Sequence, residues 1–393
     1  LGQLKKKTVG SKKNPSTNTY YSPRQPLQEQ AYEYNIRGWL LNVNKAYMSN
    51  ANANQYFAME LGYDKNASYG TFAPVYNGNI AGMLWKSEGD QEKRKYDFNY
   101  DAVNRLTAAA FTQYASGSGE SATFDNSANV DFSVSGLTYD ANGNIKAMAQ
   151  NGLKLNTSIP IDQLTYTYNS NSNKLLKVVD AITPDHKLGD FKDGSSGSAN
   201  DYSYDVNGNL TADLNKGISA ISYNYLNLPQ TITVTGKGTI TYTYDAAGTK
   251  LKKVTVENPS AANGNKTITT TTTSVGAFVY ESKTMSPADP NNPNYTDKLL
   301  FAGQEEGRIR TLFNTAGSPN TPSGFAYDYF VKDHLGNVRM VLTEEIKQDI
   351  YPAATLEGSL TVDGSPNAAF KEKDYYSINS AYVVASTTAT GIT

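Results

Sequence analysis

The chain has 393 residues, a formal net charge of -2 and no cysteine. Near-balanced charge offers no field to gather nucleic acid or an acidic membrane, the lack of Cys excludes disulfides and thiol chemistry, and no run reaches the ~20 apolar residues of a bilayer-spanning helix. Gly 31 and Tyr 29 against Trp 2 describe turns and half-buried aromatic strands, not long helices.

In chain order, residues 1–26 are polar and basic, with Lys5-Lys6-Lys7, Lys12-Lys13 and Pro15, Pro23 and Pro26. They read as an extended lead-in or linker. The chain opens at Leu1 without Met or a signal peptide, and the expectation is an internal piece of a longer polypeptide. From Leu27 a hairpin pattern begins, first as Tyr32, Tyr34, Asn35, Gly38 and Leu40. Trp39 and Trp85 follow turns, where a large ring finds a partner on the paired strand. The Ala/Asn-rich segment from Asn44 to Asn54 reads as a loop or a short surface helix.

Variations of one unit then recur at Tyr76-Asn77-Gly78-Asn79-Ile80, at Tyr96, Tyr100, Asp101 and Leu106, and at Tyr139-Asp140-Ala141-Asn142-Gly143-Asn144-Ile145. Tyr166, Tyr168, Asn169 and Leu175 continue it. After the interruption from Asp180 to Asp201 come Tyr204-Asp205-Val206-Asn207-Gly208-Asn209-Leu210, then Tyr223, Tyr225, Asn227 and Leu228, then Tyr244, Asp245, Gly248 and Leu251. Uninterrupted, the period is ~20 residues, the scale of stacked supersecondary units.

The stretch from Asp201 to Lys216 shows why this unit folds. Tyr202 and Tyr204 sit two apart, so on a strand both rings leave one face. Asp205 accepts from amides two and three residues on, Gly208 supplies a positive φ, and Leu210 restarts the strand. The predicted loop is a type I turn closed by a glycine bulge. Further on, Thr267 to Thr273 and Phe278-Val279-Tyr280 read as strands, and Pro287 to Asn294 as an exposed loop. Tyr327, Tyr329 and Val331 alternate into Asp333-His334-Leu335-Gly336-Asn337-Val338-Arg339. Residues 346–393 carry strand-like Tyr351 to Leu356, Leu360-Thr361-Val362, Tyr375-Tyr376 and Tyr382-Val383-Val384, the start of a different, truncated β module.

The Tyr-Asp-x-x-Gly-Asn-Leu units, closed by the Asp-His-Leu-Gly-Asn-Val-Arg run, resemble the YD repeats and core signature of bacterial Rhs proteins. The resemblance covers roughly Leu27 to Glu345 and includes Leu299 to Arg310, which is similar to the segment ahead of that signature. It implies an all-β fold: tandem hairpins in a spiral, curved sheet, a partial β-shell over 27–345. It also implies kinship with the shell-forming components of insecticidal toxin complexes, in which such a shell holds a C-terminal toxin.

Catalytic groups are sparse. His334 beside Asp333 invites an acid–base reading, but Asp333 to Gly336 repeats the Asp-x-x-Gly turn, so both are expected to serve a reversal, with Gly336, Asn337 and Arg339 as structural parts of the signature. The family's aspartate-dependent self-cleavage would need an Asp-Pro-x-Gly motif. Here Asp289-Pro290 is followed by Asn-Asn, and no enzyme activity is expected. Asp185, Asp190 and Asp193 with Gly194 form a weak candidate calcium loop whose spacing does not match Asp-x-Asp-x-Asp-Gly. A hydrated loop without metal or cofactor is the expectation. The tyrosine rings are expected to stack on neighbouring repeats, leaving only the hydroxyls in solvent.

The expected function is therefore structural: part of a large secreted or cell-surface protein whose β-shell encloses or carries a toxin domain. Its partners would be further repeats or a protein covering the sheet edges. At ~16 Å² per strand residue the sheet covers about 3,400 Å², and a closed shell of that area has room for roughly 40 to 50 residues, less than a typical domain. The chain would thus be an arc. The rival readings are an adhesin binding glycans through the Tyr-rich sheet and an autoproteolytic processing module.

Overall fold

The computed structural model describes residues 2–49, 55–65, 69–155, 157–182, 188–194, 200–314 and 320–346, and the strand backbone at 361–362 and 365–366. The chain divides into two units, Leu1–Glu344 and Glu345–Thr393. In the second unit the described residues are Thr361–Val362 and Ser365–Pro366, an antiparallel pair, together with Glu345 and Ile346. The strands expected at Tyr351 to Leu356, Tyr375-Tyr376 and Tyr382 to Val384 lie outside the described residues.

The first unit is the all-β array of tandem antiparallel hairpins that the repeats predict. Its strands form two 12-stranded sheets, each following chain order. The first runs from Lys6–Ser11 to Leu175–Asp180, with Thr123–Asp125 pairing off the main path, and the second from Tyr202–Tyr204 to Val338–Thr343. A meander in strict sequence order follows from short loops, because a hairpin of a few residues can only return beside its parent strand.

The sheets meet at Asp201, which is fully buried. Its amide donates to the Leu176 carbonyl at 2.8 Å, and its carboxylate accepts from the Val178 amide at 2.8 Å. One buried side chain thus stands in for a rung where the ladder is interrupted.

Two sequence expectations are corrected. The lead-in at 1–26 is not an unpacked linker: Lys6–Ser11 is a strand paired with Pro26–Tyr34, Lys13 and Tyr20 form a bridge, and Val9 is buried. Pro15 and Pro23 lie in the connecting loop and Pro26 opens the second strand, while the ladder and the buried Val9 hold the first strand in place. The Ala/Asn-rich segment does contain a helix, Ala46–Ser49, but not a surface one. Tyr47 and Met48 are buried with Ala58, Phe72 and Leu84 in one apolar cluster. The Tyr47 hydroxyl donates to Glu88, and the buried Lys86 ammonium donates to the Tyr47 carbonyl, which lets this polar pair sit beside the core.

Candidate functional site

The repeat chemistry is concentrated along one run of turns. In the turns opened by Asp140, Asp205, Asp245 and Asp333, one carboxylate oxygen accepts from the amides two and four residues on, as in Asp205 with Asn207 at 2.9 Å and Asn209 at 2.8 Å. Asp101, and Asn35 and Asn224 in the aspartate's place, do the same. The sequence reading placed the second bond at the third residue. That amide instead donates to the turn's own first carbonyl, Gly208 to Asp205 at 3.1 Å, and the bulge brings the fourth amide within reach. Gly143 and Gly208 have φ of 87, the left-handed backbone that a type I turn with a glycine bulge requires.

These bonds tune the carboxylates. Side-chain hydrogen bonds from Asn144 and Asn209 hold Asp140 and Asp205 below the ordinary carboxylate range, and the Thr249 amide does so for Asp245. Burial would raise Asp333, but bonds from Asn337 and Arg339 outweigh it and leave the group depressed.

The tyrosine before many of these turns has a role that the sequence reading missed. Its hydroxyl, expected to face only solvent, donates to the carbonyl of the residue that restarts the strand in the preceding hairpin. The bonds run from Tyr63 to Leu40 (3.2 Å), Tyr100 to Ile80 (2.8 Å), Tyr139 to Leu106 (2.6 Å), Tyr168 to Ile145 (2.9 Å), Tyr204 to Leu175 (2.9 Å), Tyr223 to Leu210 (2.6 Å) and Tyr244 to Pro229 (2.9 Å). Burial pushes the hydroxyls of Tyr100, Tyr168, Tyr204, Tyr223 and Tyr244 above their usual pKa, which favours the protonated, donating form. The signal was present in the sequence: a tyrosine recurs at one fixed place before most of these turns, where stacking alone would accept any aromatic ring.

Asparagines link successive turns. Asn104 accepts from the side-chain amides of Asn77 (2.6 Å) and Asn79 (3.2 Å), Asn173 from Asn142 (3.1 Å) and Asn144 (2.9 Å), and Asn227 from Asn207 (3.4 Å) and Asn209 (3.1 Å). Tyrosine and asparagine therefore fasten neighbouring hairpins from two sides of the turn.

In the Asp333 to Arg339 run, the Asp333 side chain is fully enclosed. It accepts from Leu335, from Asn337 through both amide and side chain, and from Arg339 Nε at 2.7 Å. With its lone pairs used in this way, Asp333 has none directed at His334, whose basicity is lowered by burial. Gly336 holds the bulge position with φ 83. Just upstream, buried Asp328 accepts from Arg308 Nε at 2.8 Å and Arg310 Nε at 3.1 Å.

The two ends of the first unit share a seam. Val9 from the first strand packs in one cluster with Val331 and Leu342 from the last two strands and with Val43, Phe57 and Met59. Glu344, itself buried, accepts from the Ser11 amide (2.7 Å), the Tyr20 hydroxyl (2.7 Å) and the Tyr329 hydroxyl (3.2 Å), while Lys7 pairs with Glu306 at 2.5 Å. The start and finish of the array are thus joined through side chains rather than through a backbone ladder.

Of the candidate calcium ligands, Asp185 lies outside the described residues. Among the described residues no group of three or more His, Cys, Asp or Glu is placed to hold a metal, and no helix is long and apolar enough to cross a membrane.

No protein family's sequence profile matches this chain, and no curated protein does. Among solved structures, the chain is similar to the TcdB2-TccC3-Cdc42 crystal structure at 14% identity and TM-score 0.46, covering 82% of this chain and 15% of that one. The TcdB2-TccC3 crystal structure is similar at 15% identity and TM-score 0.46, covering 81% and 16%. The Tc holotoxin pore of Photorhabdus luminescens is similar at 13% identity and TM-score 0.41, covering 82% and 16%. The chain thus spans about a sixth of the length of each, and likeness at this level says nothing about activity.

Proposed function

We propose that this chain is a wall element: a non-catalytic stretch of a larger secreted or cell-surface protein, whose fastened hairpins enclose or carry another polypeptide segment such as a toxin. The observation that carries the reading is the recurrent bond from a turn tyrosine to the preceding hairpin, which makes successive hairpins depend on their neighbours. The turn carboxylates, the chemistry-bearing groups most often repeated, are engaged in holding backbone amides. A wall needs that; a catalyst does not.

The test is limited proteolysis of the whole polypeptide in which the chain occurs, followed by mass spectrometry. A wall predicts a segment outside the array that resists protease while the array is folded and is digested once denaturant opens it. Equal digestion of every other segment before and after unfolding of the array would contradict the reading.

A further inference from the structure

The sequence holds five Asn-Gly pairs, at 77–78, 142–143, 151–152, 207–208 and 263–264. In such a pair the asparagine carboxamide can meet the next residue's amide nitrogen without a Cβ in the way. Attack of that nitrogen on Cγ needs two things: an amide free to give up its proton, and a carboxamide polarised toward addition. The fold withholds the first from every pair but one. The Gly143 and Gly208 amides donate to the Asp140 and Asp205 carbonyls at 3.1 Å, and the Gly264 amide to Ala261 at 3.3 Å. Gly152 is buried inside a strand, opposite Ile159, and the Asn151 side chain is bound to Asp131. Gly78 lies in a bend outside any strand, and its amide donates to no group among the described residues.

The same pair meets the second need. Asn77 is exposed, and its Oδ1 accepts from the Asn79 amide at 3.1 Å. Negative charge builds on that oxygen when Cγ is attacked, so the Asn79 amide is placed as an oxyanion donor. Asn263 Oδ1 also accepts, from Ser260 and Lys266, but its glycine amide is engaged. We propose that Asn77 is a site of spontaneous modification. The Gly78 nitrogen loses its proton to solvent and bonds to Asn77 Cγ, the Cγ–Nδ2 bond breaks with release of ammonia, and water opens the resulting succinimide to aspartate or isoaspartate. The change falls on one of the asparagine links between turns. Asn77 Nδ2 is the donor to Asn104 Oδ1 at 2.6 Å. A carboxylate oxygen in its place sets acceptor against acceptor and leaves Asn104 only the 3.2 Å bond from Asn79. The conversion thus unfastens the turn at Asn104 from the preceding segment as the protein ages, without an enzyme.

The test is peptide mapping of the unmodified chain after prolonged incubation at mildly alkaline pH, folded and in concentrated urea, with aspartate and isoaspartate quantified at every Asn-Gly pair. The expected result in the folded chain is conversion at Asn77 roughly tenfold or more faster than at Asn142, Asn151, Asn207 and Asn263. In urea, where the fold no longer distinguishes the pairs, the rates should converge. A folded-state rate at Asn77 no higher than at the other pairs, or a lead that persists unchanged in urea, would overturn the proposal. Hydrogen exchange of Asn77→Asp tests the consequence: faster exchange from Asp101 to Arg105 supports the loss of fastening, and unchanged exchange there refutes it.

Discussion

The two sheets of the array use the same hairpin but are stabilised differently. In the first sheet, Phe57, Met59, Leu84, Phe111 and Ile161 are buried, and the helical turn with Tyr47 and Met48 closes over one face. In the second, among the described residues, the buried apolar side chains are Met285, Ala326, Val331 and Leu342. Its middle strands, such as Pro229–Val234 and Thr267–Val275, are half-buried along most of their length. A strand with one buried face has its register fixed by that face, because a slip of one residue would expose the apolar set. A strand half-exposed on both faces has no such constraint. The second sheet must therefore take its register from its turns and tyrosine bonds.

The largest effect should appear where the sheets differ most. Phe111→Ala in the first sheet is expected to cost ~3–5 kcal/mol, against ~1–2 kcal/mol for the half-buried Ile232→Ala in the second. Denaturant unfolding of both variants checks this, and equal losses would erase the distinction. Next comes the seam. Glu344→Ala removes the acceptor for Ser11, Tyr20 and Tyr329 and should cost ~2–3 kcal/mol, with hydrogen exchange rising in Lys6–Ser11 but not in the middle of the second sheet. Exchange that rises evenly everywhere would mean the ends do not meet as a local joint.

A smaller effect sharpens the role of the turns. Gly143→Ala should cost ~1 kcal/mol in thermal unfolding through backbone strain alone, since nothing lies within 4 Å of an added Cβ. Gly143→Asn should cost less, because Asn104 and Asn227 already hold the same left-handed position in their turns. Equal costs would argue against that backbone requirement.

The smallest effect is a pH slope. Asp140, Asp205, Asp245 and Asp333 are depressed in the native state, so their contribution is complete above the unfolded carboxylate value of about 4 and is lost as pH falls through the lower native values. The melting temperature should fall over that acid window. Asp205→Asn, which imitates the natural turn at Asn224, should make the fall shallower. A slope unchanged by this substitution would place the acid sensitivity elsewhere.

Much of this was legible in the sequence because it is local. Tyr204, Asp205 and Gly208 specify a strand, a turn and a bulge within five positions, and a tandem series of such units with short loops permits a meander and little else. What stayed hidden was set by distant partners. Nothing near Val9 or Glu344 tells that residues more than three hundred positions apart share a seam. The tyrosine hydroxyls misled for a related reason: their acceptor is a main-chain carbonyl, which carries no mark in residue type. Likewise, only the strand register sets Glu33, Asn42 and Glu60 side by side across three strands of the first sheet.

The most direct test of the fastening is Tyr204→Phe followed by hydrogen-exchange mass spectrometry. Tyr204 spans the join between the two sheets, where the ladder is interrupted and its bond to Leu175 acts beside those of Asp201, whereas Tyr244 works next to an unbroken ladder. The account predicts faster exchange on both sides of the join, in Leu175–Asp180 and in Tyr202–Tyr204, with a clearly smaller change around Tyr244 in the matched Tyr244→Phe variant. Exchange confined to the mutated hairpin, or unchanged, would contradict it.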